Sequence, residues 1–273
     1  MKLEKNKIYI SVAVGFVFVI AILWLVIRGC SAGPDIRKRT FQIGRDSTWY
    51  PMDLRGKEKA MVGFTNDLIA AIGKQQDFRS IVFEVGPNAL LDGLNIGNYD
   101  AILSSMPPNT INRKRYGFSD PFYLVGPVLL VSEDSDIDSM EDMSGRILGI
   151  ESGSLQIFNI TEPPDIVIIP YDSGATALEA LDEGVIDGVL LDALRAHVWA
   201  EGFYAGRLKV ATSPLTNRGL RLVTRNQPEF LTWISQFDEG LQAIKESGLY
   251  DQLLIKWDLI DTELDELAPP EKQ

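Results

Sequence analysis

The sequence predicts an α/β protein of two units joined by two strand crossings and preceded by one N-terminal membrane segment. Three observations carry that expectation: a twenty-residue uncharged run near the N-terminus, two successive stretches in which short apolar runs alternate with helical periodicity, and two further extended apolar runs. At about 100–200 residues per domain, 273 residues suffice for a core in each unit.

The uncharged run, Ile8 to Ile27, follows Lys2, Lys5 and Lys7. At about 1.5 Å per helical residue it is long enough to cross a bilayer. Secretory signals usually have an apolar core of about 7–15 residues, so the length favours a retained anchor. Residues 1–30 are therefore read as a signal or anchor segment, ending at Cys30, the only cysteine. Residues 31–40, with Gly33, Pro34 and the basic group Arg37, Lys38 and Arg39, read as a linker.

Beyond the linker the pattern gives strand Phe41–Gly44, helix Asn66–Gln75, strand Ile81–Val85, helix Ala89–Asn95 and strand Ala101–Ser104. It recurs as strand Ile147–Ile150, helix Leu155–Asn159, strand Ile166–Pro170, helix Gly174–Glu183 and strand Gly188–Leu191. Val125–Val131 and Leu220–Val223 are expected to carry the chain between the units, which makes a hinge. Pro228–Trp257 is helical, with Phe230, Trp233, Ile234, Phe237 and Leu241 at 3–4 spacing and a break at Gly248, and is expected to pack on the first unit.

Composition excludes several functions. Apolar residues make up 45% and charged residues 23%, ordinary for a globular chain. Lys and Arg number 26 against 38 Asp and Glu, so the net charge of −12 argues against a nucleic-acid partner. Four basic residues against one acidic residue before Cys30 give that segment +3, leaving −15 on the remainder. A single Cys and a single His leave no Cys/His zinc cluster and little scope for a Cys-His or Ser-His couple. The one histidine, His197, sits in the helical stretch Asp192–Ala200 and reads as a surface or packing residue rather than a base. No phosphate-binding loop is present, and no cofactor or metal is expected.

Five ordered stretches and a closing pair stand out. They are Asp46-Ser-Thr-Trp49-Tyr-Pro51-Met-Asp53; Gly63-Phe64-Thr-Asn-Asp67-Leu68; Tyr99-Asp100-Ala101-Ile-Leu-Ser104-Ser105-Met106 with Arg113 and Phe118-Ser119-Asp120-Pro121-Phe122-Tyr123; Gly149-Ile-Glu151-Ser-Gly153-Ser154; and Ala180-Leu-Asp-Glu-Gly184-Val-Ile-Asp187-Gly-Val-Leu-Leu-Asp192. Ser247-Gly248-Leu-Tyr250 with Lys256-Trp257 closes the set, which in this order resembles the amino-acid-type extracellular solute-binding proteins of ATP-driven importers, bacterial solute-binding protein family 3. The resemblance implies a two-lobed periplasmic-binding-protein-like fold with two hinge strands: 41–124 and 221–260 in lobe 1, 125–220 in lobe 2, and an acidic tail over 261–273. Gly29-Cys30-Ser31 also resembles a lipoprotein acylation site, from which Arg28 departs.

By the same resemblance, Arg113 grips the carboxylate of an amino acid and Asp192 accepts its ammonium group. Ser104, Ser105 and Ser154 add hydrogen bonds, and Trp49 lids the ligand side chain. Buried charges need such matched partners, and a guanidinium bonds both carboxylate oxygens. Asp46 and Glu151 then favour a basic side chain. The sequence departs from the family at Pro107-Pro108, which lack N–H donors where the family usually has Ser or Thr. The resulting expectation is a monomeric, non-catalytic solute-binding component outside the cytoplasm that delivers an amino acid to an ABC permease and is tethered to the membrane by its helix or by a lipid. Two other readings on the same fold are a cyclohexadienyl-dehydratase-like enzyme, with Glu151 or Asp192 as general acid, and a sensor input domain.

Overall fold

The computed structural model describes residues 39–49, 54, 56–153 and 163–263. The apolar run 8–27, Cys30, Ser154, the helix expected at Leu155–Asn159 and most of the acidic tail lie outside the described residues. Among the described residues no helix is long and apolar enough to cross a membrane.

Two sheets organise the fold. The first begins with β1 (Thr40–Arg45), α1 (Glu58–Gln75), β2 (Arg79–Glu84), α2 (Pro87–Ile96) and β3 (Ala101–Ser104). These strands are parallel, with β1 between its neighbours. After α3 (Thr110–Arg113) come β4 (Tyr116–Phe118) and β5 (Tyr123–Leu124), which the sequence pattern did not show because each is under four residues long. The second sheet holds β6 (Pro127–Ser132), β7 (Ile147–Glu151) and β8 (Val167–Tyr171), then α4 (Gly174–Asp182), β9 (Gly188–Asp192), α5 (Ala193–Glu201) and β10 (Leu208–Val210). Its order is β10-β6-β9-β7-β8. The chain returns to the first sheet as β11 (Gly219–Arg225), antiparallel to β3, β4 and β5, and ends in α6 (Pro228–Glu246) and α7 (Leu249–Lys256).

Each sheet buries its own core. α1 places Met61, Phe64, Leu68, Ile69 and Ile72 on one stripe at 3–4 spacing, and α6 does the same with Phe230, Trp233, Ile234, Phe237 and Leu241. The Trp233 ring stacks on Phe41 with centroids 3.8 Å apart, and Phe78 meets both rings edge-on. Such aromatic pairs contribute about 0.5–1.5 kcal/mol beyond area burial. The carboxyl-terminal helix thus packs on the first sheet, as its spacing predicts. In the second sheet β6 and β9 are apolar at successive positions, as central strands covered on both faces must be.

The crossings lie beside the apolar runs expected to form them. Leu220–Val223 sits within β11, paired to the first sheet, because those side chains complete its core. The chain passes between the sheets at Val125-Gly126 and returns over 211–218. The two passages are bonded together: Val125 N–H donates to the Arg218 carbonyl at 2.8 Å, and Leu215 N–H to that of Pro127 at 2.8 Å. At Gly126 a Cβ would lie 2.7 Å from the Thr216 carbonyl oxygen, so only glycine allows this approach. Carboxyl-terminal residues brace the junction, with the Thr262 hydroxyl donating to the Leu124 carbonyl at 2.8 Å.

Candidate functional site

In open α/β sheets ligands sit beyond the carboxyl ends of the strands. Five of the predicted residues fall there: Asp46 follows β1, Ser104 ends β3 and Ser105 follows it, and Glu151 and Asp192 end β7 and β9. A cleft of about 450 Å³ opens beside the crossings. It is lined by Ser105, Pro107, Pro108, Asn109 and Arg113 on one side and by Thr216, Asn217, Arg218, Gly219 and Arg221 of the returning chain on the other.

The proline loop orients Arg113. Asn109 caps α3, its side chain accepting from the N–H groups of Ile111 and Asn112. Arg113 Nε then donates to the Pro108 carbonyl at 2.7 Å, and its guanidinium lies 5.9 Å from the Phe118 ring centroid. Proline removes an N–H donor but keeps its carbonyl, and here that carbonyl fixes the guanidinium in an exposed position on the cleft wall. Ser104 instead serves the backbone, its Oγ accepting from Met106 N–H at 3.1 Å.

Asp192 occupies the position before α5, where a carboxylate usually caps the helix, yet it makes no such bond. Its Oδ1 is shielded from water without a hydrogen bond, and the nearest cation is Arg218, with Nη1 at 3.6 Å. The acceptor is therefore only weakly used.

Three further expectations meet different surroundings. Trp49 is buried at 3% exposure, its indole N–H donating to the Glu58 carbonyl at 3.3 Å. Its backbone is left-handed at φ 59°, held by a bond from its N–H to the Asp46 carbonyl. The ring is thus packed inside lobe 1 rather than standing open as a lid. Asp46 is also buried, with both carboxylate oxygens accepting from the Thr48 hydroxyl at 2.8–2.9 Å, a local turn bond. Glu151 is paired with Arg195 at 2.7 Å, so its charge is already matched within lobe 2.

Sequence reasoning missed Arg218 and Arg221. Arg221 is 3% exposed within β11 and donates to the carbonyls of Ser119 and Asn217, while its Nε has no hydrogen-bond partner. Burial lowers its pKa; Arg113 pushes it the same way, and Asp120 and Asp238 oppose. Burial also pushes the Asp238 carboxyl up to about 7, although it accepts from the Asp120 N–H at 2.9 Å. The available signal was a charged residue interrupting an apolar strand. His197 is buried on α5 with Nδ1 3.3 Å from Glu201, as a packing residue would be. Among the described residues no cluster of three or more His, Cys, Asp or Glu is placed to hold a metal ion. Chemically, the arrangement offers guanidinium donors on a cleft beside the crossings and one weakly used carboxylate, Asp192, next to its Arg218 wall, which suits capture of a charged solute.

Known proteins share this plan. Residues 41–259 match the family model of the bacterial extracellular solute-binding proteins, family 3. ABC transporter arginine-binding protein 1 of Escherichia coli (strain K12) is 27% identical over 235 residues, 84% of this chain and 93% of that protein. The L-cystine solute receptor of Neisseria gonorrhoeae, solved in an unliganded open conformation, superposes with a TM-score of 0.61 at 18% identity, covering 84% of this chain and 97% of that one. Substrate-binding domain 2 of Lactococcus lactis GlnP, also open, gives 0.56 at 21% identity, covering 83% and 97%.

Proposed function

The chain belongs to family 3 of the bacterial extracellular solute-binding proteins, and from that premise we propose that it captures an amino acid between its lobes and hands it to the membrane permease of an ABC importer. The observation that carries this reading is a pair of complementary groups: Arg113 on the cleft wall, steered by the Pro108 carbonyl, for the α-carboxylate, and Asp192, beside the cleft residue Arg218 and at a cap position without a cap bond, for the α-ammonium. Each ligand charge loses several kcal/mol of hydration on burial unless such a partner replaces it. Ser105 on the cleft wall, Ser104 and Ser154 would complete the polar shell.

Binding would draw the lobes together at the paired crossings, shifting an open population to a closed one. Capture, not turnover, is the work of such a site. The protein would act as a monomer in the periplasm or at the outer face of the cytoplasmic membrane, tethered through 8–27 or through a lipid on Cys30. Support for amino acids over other solutes comes from the names of the relatives. A thermal-shift screen of the full-length chain against the twenty amino acids tests this, because a ligand that binds only the folded state raises the melting temperature. A rise with at least one amino acid, lost in Arg113→Ala and Asp192→Ala, is expected; no rise with any of them would overturn the proposal.

A further inference from the structure

Resting on the reading of the cleft as an amino-acid site, we propose that Arg218 and Arg221 set its specificity for an amino acid with an acidic side chain. The argument is a charge count. Arg113, Arg218 and Arg221 line the cleft, and the carboxylate that Arg218 reaches is Asp192. Three positive groups against one negative leave +2. A cationic amino acid would raise this to +3, whereas an acidic one lowers it to +1. Asp120 also acts on Arg221 and lowers the surplus to +1, so an acidic amino acid brings the site to 0 and a cationic one to +2, while burial pushes the Asp238 carboxyl toward its neutral form.

Two acidic groups that would welcome a cationic side chain are engaged elsewhere, Asp46 with Thr48 and Glu151 with Arg195, and Asp192 is assigned to the α-ammonium. Donors, in contrast, are in surplus. Arg113 spends Nε on Pro108, and Arg221 keeps a buried Nε without a partner. With Arg113 and Asp192 assigned to the α-groups, Arg218, half-exposed on the cleft wall and 3.6 Å from Asp192, is the cation within reach of the rest of the same ligand. The chain's net charge of −12 does not cancel this, since exposed charges farther than about 8–10 Å are screened while those lining the cleft act at contact.

Isothermal titration of the full-length chain with glutamate, aspartate, arginine, lysine and histidine tests the inference, run in parallel on Arg218→Gln and Arg218→Lys after each is shown to fold. Arg218 is about half exposed in its side chain, so both variants should fold. Glutamate or aspartate is expected to bind about 10- to 100-fold tighter than the basic amino acids, the span of one charged hydrogen bond. Arg218→Gln should erase most of that preference and Arg218→Lys retain part of it. Tighter binding of a basic amino acid would overturn the inference while leaving amino-acid capture standing. An acidic preference unchanged in Arg218→Gln would overturn the role of Arg218. Silence from all five would overturn this inference, and silence from all twenty in the thermal-shift screen would overturn the reading beneath it.

Discussion

Asp192 Oδ1 lies 3.6 Å from Arg218 Nη1, so the carboxylate ending a strand of lobe 2 meets the chain as it returns to lobe 1. Because the aspartate makes no helix-cap bond, removing its charge leaves α5 intact. Asp192→Asn should weaken amino-acid binding by about 100-fold or more, the cost of stranding a buried ammonium. The melting temperature of the unliganded protein should move by no more than about 2 °C. Titration calorimetry and thermal unfolding on one preparation check both. Undiminished affinity would remove Asp192 from the site.

The Asp238 carboxyl, pushed up to about 7 by burial, predicts a pH response. The folded protein holds this proton more tightly than the unfolded chain, where the group titrates near its ordinary value of 3.8. Its contribution is complete below that value and is lost as pH rises through about 7. The melting temperature should therefore fall between pH 6 and pH 8, and Asp238→Asn should flatten that fall. Scanning calorimetry at both pH values decides it: an identical slope in the variant would contradict the assignment.

Gly63 and Trp257 bring α1 and the end of α7 together. A Cβ at Gly63 would lie 2.2 Å from the Trp257 ring, whose indole N–H donates to Asp67 one helical turn along at 2.7 Å. Gly63→Ala is expected to cost about 1–3 kcal/mol in urea unfolding, the usual penalty of overpacking. A variant as stable as the parent would show that the ring moves aside freely.

The same contact explains what the sequence conveyed and what it hid. The stretches Gly63-Phe64 to Asp67 and Lys256-Trp257 were readable as motifs, and they meet in space, with Lys256 Nζ also on Asp67 at 2.7 Å. Yet Gly63, costly inside a helix by about 1 kcal/mol, masked the first two turns of α1, which begins at Glu58 rather than Asn66. β3, β6 and β9 were legible because their continuous apolar runs fill the two cores. β4, β5 and β10 were not, since two or three residues carry no periodicity and owe their conformation to β11 and β6. At the site, strand-end carboxylates could be placed by position alone. Their partners could not: Arg195 lies 44 residues from Glu151, and only tertiary structure brings them together.

Closure of two lobes around an amino acid is the central claim, and its most direct test is single-molecule energy transfer on the full-length chain. Cysteines replace the exposed Glu179 of lobe 2 and Gln242 of lobe 1, with Cys30→Ser as background. Adding a saturating mixture of the twenty amino acids should shift the transfer efficiency to a new single value, and Asp192→Asn should stay at the unliganded value. Efficiencies that are the same with and without the mixture in the parent protein would contradict capture by closure.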